Sequence, residues 1–136
     1  MTLPTKPIIL CVDDEPANLK LLENILVPRG YEVVSAASGE DALQKVKTRT
    51  IDLVLLDLMM PGMDGLQVSR KIKENKKYRN IPIIMLTAYS GVESYIKSLS
   101  GEVFAYLHKP FETEELIKIV RTALGQSEAS HSLSRS

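Results

Sequence analysis

The stretch that decides the fold is Leu53-Val54-Leu55-Leu56-Asp57-Leu58-Met59-Met60-Pro61-Gly62-Met63-Asp64-Gly65. Its first four residues are all apolar, without the alternation of a strand that exposes one face to water. A short continuous run of this kind is typical of a parallel strand covered on both faces. The run stops at an acid, Asp57, so a carboxylate is predicted at the carboxyl end of a buried strand.

Four further apolar runs surround this one, and segments of helical period separate them. The runs are Ile8–Val12, Tyr31–Ala36, Ile83–Leu86 and Val103–Leu107, and the helical segments lie around residues 19–26, 42–46, 66–72, 92–99 and 116–123. Ser38 with Asp41 three residues later is a capping-box-like start, and Gly125 ends the last helix. Five strand–helix pairs in succession predict an α/β fold: a doubly wound, five-stranded parallel sheet with five helices on its two faces.

The composition fits one globular domain. The chain has 136 residues, 17 basic and 17 acidic, with a single cysteine, Cys11. Balanced charge predicts no general attraction to nucleic acid or to an anionic membrane. One cysteine excludes an internal disulfide, and no apolar run approaches a signal peptide or a membrane span, so we expect a cytoplasmic protein.

The segment from Arg70 to Arg79 contains six basic residues and one acid. A solvated helix end explains these charges better than a nucleic-acid patch does, although a nucleic-acid patch stays open as an alternative.

Polar residues follow the apolar runs in a consistent way. Asp13 and Asp14 follow the first run, Asp57 the third, Thr87 the fourth, and Lys109 comes just after the fifth. Taken alone, the paired acids could equally cap the next helix. However, the carboxyl ends of parallel strands lie on one edge, where open α/β sheets bind their ligands. Three clustered carboxylates need a cation, and a sparse oxygen donor set suits Mg²⁺. A carboxylate, a metal, a hydroxyl and an ammonium are the parts needed to form an aspartyl-phosphate.

Four blocks of this sequence resemble the signature motifs of the receiver domains of two-component response regulators. They are Val12-Asp13-Asp14-Glu15, then Leu56 to Gly65, then Leu86-Thr87-Ala88, then Tyr106-Leu107-His108-Lys109-Pro110-Phe111. The resemblance covers about residues 6–125 and implies the flavodoxin-like strand order 2-1-3-4-5. We expect residues 6–125 to form the receiver domain and residues 126–136, which are rich in serine, to be a disordered tail or the start of a linker.

The resemblance also implies a role for each site residue. Asp57 is the phosphoacceptor, and Lys109 and Thr87 contact the phosphoryl group. Asp13, Asp14, Asp57 and the backbone carbonyl of Met59 hold Mg²⁺. Thr87 and Tyr106 form a switch pair, with the small Ala88 leaving space for the ring, and the Lys109–Pro110 bond is cis. The implied function is a signalling switch, not a turnover enzyme, which a sensor histidine kinase or a phosphotransfer protein phosphorylates in a two-component phosphorelay.

The residues that lead into the fifth strand depart from the family pattern. The stretch Ser100-Gly101-Glu102-Val103-Phe104-Ala105-Tyr106 lacks the usual acidic residues, so we predict an apolar face on the fourth helix, fifth strand and fifth helix, suited to a homodimer or to an output domain. On that strand Val103, Ala105 and Leu107 should share one side and Phe104 and Tyr106 the other.

The resemblance implies that Met59 and Tyr89 border the path of the hydrolytic water, and their bulk predicts slow dephosphorylation.

Two other functions use similar residues. An aspartate-based phosphatase of the haloacid-dehalogenase type also needs a nucleophilic aspartate and magnesium, but it places a second acid two residues after the nucleophile on the first strand. Asp13 and Asp14 are adjacent. A receiver-like protein that binds partners without phosphorylation would not need the complete set of acids, threonine and lysine. Turnover of small phosphoesters discriminates between the first of these and a switch.

Overall fold

The computed structural model describes residues 5–88 and 103–126, which form a parallel sheet covered by helices. The strands are β1 (Ile8–Val12), β2 (Glu32–Ala36), β3 (Leu53–Asp57), β4 (Ile83–Thr87) and β5 (Ala105–His108), and the helices are α1 (Pro16–Leu26), α2 (Gly39–Thr48), α3 (Gly65–Glu74) and α4 (Thr113–Ala123). A 3-10 turn, Val27–Arg29, follows α1. The predicted helix over residues 92–99 lies outside the described residues, so α4 here is the fifth helix predicted from the sequence.

The strand order is β2-β1-β3-β4-β5, and all four pairings are parallel. The doubly wound fold and the order implied by the resemblance are therefore confirmed. Every residue of β3 and β4 is buried, which explains why these two strands are continuous apolar runs rather than alternating ones. The order also puts β1 beside β3, so the acids that follow these two strands become neighbours.

The core has two layers, one on each face of the sheet. Helices α2 and α3 pack on one face, where the core includes Val12, Ala42, Val46, Val68 and Ile72. Helices α1 and α4 pack on the other face, where it includes Cys11, Leu22, Leu26, Leu116 and Val120. The helical periodicity of the sequence correctly identified these apolar faces. Burial raises the pKa of the Cys11 thiol far above its ordinary value, which keeps it protonated and unreactive.

The helix ends show which local signals the sequence carries. The Ser38 side chain accepts a hydrogen bond from the amide of Asp41, as predicted. Asp64 and Gln67 form a reciprocal capping box at the start of α3, a signal that was not recognised in the sequence although acid and amide stand three residues apart. Gly125, after α4, has φ +77, a left-handed conformation that favours glycine.

One side-chain assignment on the last strand was wrong. Tyr106 and Val103 both pack against the core on the α2 and α3 face, whereas Leu107 belongs to the core on the α1 and α4 face. Val103 therefore does not share a side with Leu107. The strand begins at Ala105, so the alternation of a strand does not extend back to Val103. Phe104 is half-exposed.

Within residues 5–88 and 103–126, no helix combines the length and the apolar character needed to cross a bilayer.

Candidate functional site

At the carboxyl edge of the sheet, backbone hydrogen bonds between neighbouring strands continue past the strand ends. The amide of Asp13 donates to the carbonyl of Ala36, the amide of Leu58 to that of Leu86, and the amide of Lys109 to that of Thr87. The distances are 3.1, 2.9 and 2.7 Å. Because each link joins neighbouring strands, the side chains that follow β1, β3 and β5 are anchored to the sheet itself.

The Lys109 ammonium lies between two buried carboxylates. Its Nζ is 3.3 Å from Asp13 Oδ2 and 3.3 Å from Asp57 Oδ1. The Asp13 and Asp57 side chains are only 1% and 10% exposed, so the lysine neutralises negative charge that is largely shielded from water. Three residues that are distant in sequence are thus brought together, as the strand-end argument predicted.

Asp13 is engaged at both oxygens and does not act as a helix cap. Its Oδ1 accepts from the amide of Glu15 at 2.9 Å, and its Oδ2 from Lys109. The N-cap of α1 is Glu15, whose side chain makes no capping bond. The helix-capping alternative for the paired acids is therefore not observed. Asp14 is exposed at the rim of the same cluster.

The electrostatics of Asp57 reflect its position. Burial raises the pKa of this carboxyl above its ordinary value, Lys109 lowers it, and repulsion from Asp13 and Asp14 raises it again. The balance is a raised pKa.

The three carboxylates are also placed to hold a metal ion. Asp13, Asp14 and Asp57 each offer one oxygen, and these oxygens all lie within 4.8 Å of one another. An all-oxygen set of few carboxylates, one of them at the solvent-exposed rim, fits a hard divalent cation that keeps some of its water. The residues present therefore fit Mg²⁺ as expected from the sequence. Met59, the predicted carbonyl donor, lies two residues after Asp57, and its side chain is 53% exposed.

The loop after Asp57 packs tightly beneath the site because of one glycine. The amide of Gly65 donates to the carbonyl of Leu58 at 2.9 Å. A Cβ at Gly65 would lie 2.6 Å from the backbone oxygen of Asp57 and 2.9 Å from Met85 Sδ. Real Cβ atoms do not approach so closely, so only glycine lets α3 begin directly against the end of β3.

The residues of the predicted switch lie at the end of β4 and in β5. Thr87 is fully buried at the end of β4, and Ala88 next to it is exposed. Tyr106 is partly buried against the α2 and α3 core, and both Thr87 and Tyr106 make polar or ring interactions. The Lys109–Pro110 bond is cis, as predicted. Tyr89, the second residue of the predicted water path, lies outside the described residues.

Sequence reasoning missed an apolar depression beside Lys109. It has a volume of about 360 Å³, and its lining includes Leu21, Leu22, Pro110 and Phe111 together with Asp13 and Lys109. Leu21 is 51% exposed. The sequence signal that could have indicated this depression is Leu21, an apolar residue outside the apolar stripe that Leu22 and Leu26 belong to.

Comparisons with known proteins agree with this geometry. The family model for the response regulator receiver domain matches residues 9–121. The chain is 41% identical over 114 residues to the response regulator PleD of Caulobacter vibrioides, covering 84% of this chain and 25% of that protein. It is 39% identical over 117 residues to the sensor protein GacS of Pseudomonas syringae, covering 84% and 13%. The chain thus spans a quarter or less of these two relatives.

A similar solved structure is the response regulator TrrA of Thermotoga maritima in complex with Mg²⁺-BeF. It superposes with a TM-score of 0.78 at 42% identity, covering 87% of this chain and 99% of that one.

Proposed function

Because this chain belongs to the response regulator receiver domain family, we propose that it is a phosphorylation-controlled switch of a two-component system whose phosphoacceptor is Asp57. The observation that carries the proposal is the Lys109 ammonium 3.3 Å from each of two buried carboxylates, with a third carboxylate beside them. The proposed receiver unit is residues 6–125. Gln126, which follows it, accepts a hydrogen bond from the Tyr31 hydroxyl at 3.0 Å.

The hydrogen bonds favour Asp57 over its neighbours as the nucleophile. Both oxygens of Asp13 accept hydrogen bonds, and Asp14 is exposed. Asp57 accepts from Lys109 through Oδ1 only, and among the described residues nothing donates to its Oδ2. Oδ2 is therefore the oxygen that we propose as the attacking atom. It is also held by a rigid strand end, so the transfer depends on positioning rather than on proton transfer.

In the proposed reaction, Asp57 Oδ2 forms a bond to the phosphorus of a phosphohistidine while the phosphorus–nitrogen bond breaks. The electron pair of that bond stays on the imidazole nitrogen, and because the other ring nitrogen of the phosphohistidine carries a proton, the leaving group is a neutral imidazole. Lys109 neutralises a phosphoryl oxygen and the Thr87 hydroxyl donates to another. Mg²⁺, held by Asp13, Asp14, Asp57 and the Met59 carbonyl, would supply further charge neutralisation to the transferring group.

The same contacts suggest how phosphorylation changes the conformation. Lys109 is bound to two carboxylates now and would be drawn to the new phosphoryl group. Its amide is tied to the carbonyl of Thr87, so β4 and β5 would respond together. We propose that Thr87 turns toward the phosphoryl group and that Tyr106 fills the space next to Ala88. The half-exposed Phe104 would contribute to the surface that then contacts a second copy or an output domain.

The proposed partner is a histidine-containing domain of a sensor kinase or phosphotransfer protein. Its phosphohistidine must reach Asp57, and the apolar depression of α1 and residues 110–111 adjoins Lys109. The apolar side chains of Leu21 and Phe111 line this depression together with Lys109. They offer the partner an apolar contact surface beside the phosphorylation site. Similarity to a sensor protein as well as to a response regulator is consistent with this kind of partner.

The central test is phosphorylation by acetyl phosphate with Mg²⁺, followed by intact-mass spectrometry. The wild type should gain one phosphoryl group, and Asp57→Asn should gain none because the amide is not nucleophilic. Asp41→Asn, the same change at a partly exposed carboxylate of α2 that pairs with Lys45, should behave as wild type. Equal labelling of Asp57→Asn and wild type would contradict the assignment. Release of more than one equivalent of phosphate at a rate independent of Asp57 would indicate a phosphatase instead.

The proposed metal role is tested separately by a magnesium titration of the unphosphorylated protein. Asp14→Ala should weaken Mg²⁺ binding, roughly tenfold or more, since it removes one of three anionic ligands. Glu15→Ala, which changes the neighbouring exposed acid, should leave the affinity unchanged. The same affinity in Asp14→Ala and wild type would exclude Asp14 as a ligand.

A further inference from the structure

A basic groove lies at the amino edge of the sheet, on the side opposite to Asp57. It consists of two adjoining depressions of about 330 and 710 Å³ that share Lys47. The ends of α2 and α3 and the segments leading into β3 and β4 form its walls. Its charged lining residues are Lys47, Arg49, Lys71, Glu74, Lys76 and Lys77.

The positive charge of the basic groove is not balanced locally. Arg49 pairs with Glu32 at 2.9 Å. In the part of the chain that the structure describes, Lys47, Lys71, Lys76 and Lys77 form no ion pair, and Glu74 is the single acid among the lining residues. The whole chain has no net charge, so this concentration is a property of one surface and not of the composition.

Helix dipoles explain only part of this charge. Lys47 and Lys71 lie in the last turns of α2 and α3, where positive charge is favourable. Lys76 and Lys77 lie beyond the end of α3, in the loop that returns to β4. The dipole effect falls off within the last turn of a helix. It therefore gives no reason for two further lysines in the loop.

The loop that carries these lysines is held in place by internal hydrogen bonds. Lys73 Nζ donates to the carbonyls of Arg79 at 2.8 Å and Ile81 at 2.5 Å. The amide of Lys77 donates to Asn75 Oδ1, and the amide of Tyr78 to the carbonyl of Asn75. Lys73 is thus a positioning residue for the wall of the groove. A preformed wall lowers the ordering cost of binding a ligand.

The floor of the smaller depression is apolar. Val46 and Ile51 are buried there, and Tyr78 and Ile81 are partly buried. Lys47, Arg49 and Lys77 line the same depression, and Lys76 lines the adjoining one. A ligand that matches both features carries acidic groups on either side of an apolar side chain.

We propose that the basic groove binds an acidic segment of a partner protein, with an apolar side chain seated between Val46, Ile51 and Ile81 and carboxylates paired with Lys47, Lys76 and Lys77. Charge complementarity supports an anionic occupant. A nucleic acid fits less well, because base stacking needs an open aromatic face and the Tyr78 ring has the Lys77 ammonium 5.7 Å from its centroid. The phosphates would also make no use of the apolar floor.

The test is amide-resolved NMR titration of the unphosphorylated full chain at about 0.15 M salt. The probe is a synthetic peptide of about a dozen residues, rich in glutamate and aspartate, with one central leucine. Saturable shifts should be confined to amides of residues 43–51 and 71–81. Lys47→Gln/Lys76→Gln should weaken binding roughly threefold to thirtyfold. Lys6→Gln/Lys118→Gln, with the same charge change on exposed lysines elsewhere, and Asp57→Asn should bind as wild type does.

Three results would overturn the proposal. The first is no saturable shift in the groove at millimolar peptide. The second is equal binding of a peptide in which alanine replaces the leucine, because the apolar floor would then be unused. The third is tighter binding of oligo-dT of similar length, which would identify a nucleic-acid surface. None of these outcomes bears on phosphorylation at Asp57, so the two proposals fail independently.

Discussion

Replacing Gly65 with alanine should disturb the phosphoacceptor without touching any of its side-chain partners. The new Cβ would lie 2.6 Å from the backbone oxygen of Asp57, where real Cβ atoms stay beyond 3.0 Å. The end of β3 or the start of α3 therefore has to move by about 0.4 Å or more. The clash is with backbone, so no rotation of a flexible side chain can relieve it.

The expected energy follows from two opposing effects. Overpacking a tight contact costs roughly 1–3 kcal/mol, and exchanging glycine for alanine in a helix returns about 0.5–1 kcal/mol. The unfolding free energy of Gly65→Ala should fall by roughly 1–2 kcal/mol in urea denaturation. Displacement of a reacting group by 1 Å can cost about a hundredfold in rate, so the initial rate of labelling by acetyl phosphate should fall about tenfold.

Gly39→Ala is the matched control. Gly39 is the first residue of α2 as Gly65 is of α3, and its Cβ would lie 2.8 Å from Val68 Cγ2 and 3.0 Å from Met63 Cβ. These are side-chain atoms, whereas the Cβ at Gly65 would meet the backbone of Asp57 itself. The control should lose stability but keep the wild-type labelling rate. Wild-type stability together with wild-type labelling in Gly65→Ala would refute the reasoning.

Three further changes have distinct readouts, and Lys118→Met, an exposed lysine on α4, is the control for the first two. Lys109→Met should lower the unfolding free energy, measured without metal, by roughly 3 kcal/mol, because it leaves two buried carboxylates unpaired. Saturating Mg²⁺ should restore much of this stability. An unchanged unfolding free energy in the metal-free variant would contradict the ion-pair geometry. Burial lowers the pKa of Lys73 below its usual 10.5, so the folded state binds fewer protons than the unfolded state. The unfolding free energy of wild type relative to Lys73→Met should therefore rise with pH between the lowered pKa and 10.5. A difference that does not change with pH would exclude a lowered pKa at Lys73. Met59→Asn should shorten the half-life of phospho-Asp57, which we expect to be minutes to hours in wild type, by several-fold because an amide can orient water; loss of phosphate from wild type within seconds would refute the expectation.

The fold and the convergence of the site were predictable because both follow from one-dimensional patterns. Continuous apolar runs identified β3 and β4, and a polar residue directly after each run marked the edge where Asp13, Asp57 and Lys109 meet. Parallel pairing then required their proximity, whatever the details of packing. The resemblance added the strand order and the residue roles, which the patterns alone do not contain.

Features that depend on close approach were not predictable in the same way. The contact of Gly65 with the backbone of Asp57 joins a helix start to a strand end, whereas a glycine between a strand and a helix commonly serves only to make a turn. The error at Val103 has a similar origin, since alternation predicts a side only where the strand has already begun. Lys73 was counted as one more solvated base, because its bonds to the Arg79 and Ile81 carbonyls depend on the path of a loop.

Charge could be counted from the sequence, but its distribution could not, and the two charged surfaces show why this matters. At the carboxyl edge three carboxylates face one ammonium, a net of two negative charges, so a divalent cation would neutralise the cluster and make the arrival of a phosphoryl group electrostatically possible. At the amino edge four lysines have no acidic partner among the described residues. A chain with no net charge thus separates its charge between the two ends of one sheet. An acidic partner segment would be attracted to the amino edge and repelled from the carboxyl edge, which leaves Asp57 accessible to its phosphodonor while the basic groove is occupied.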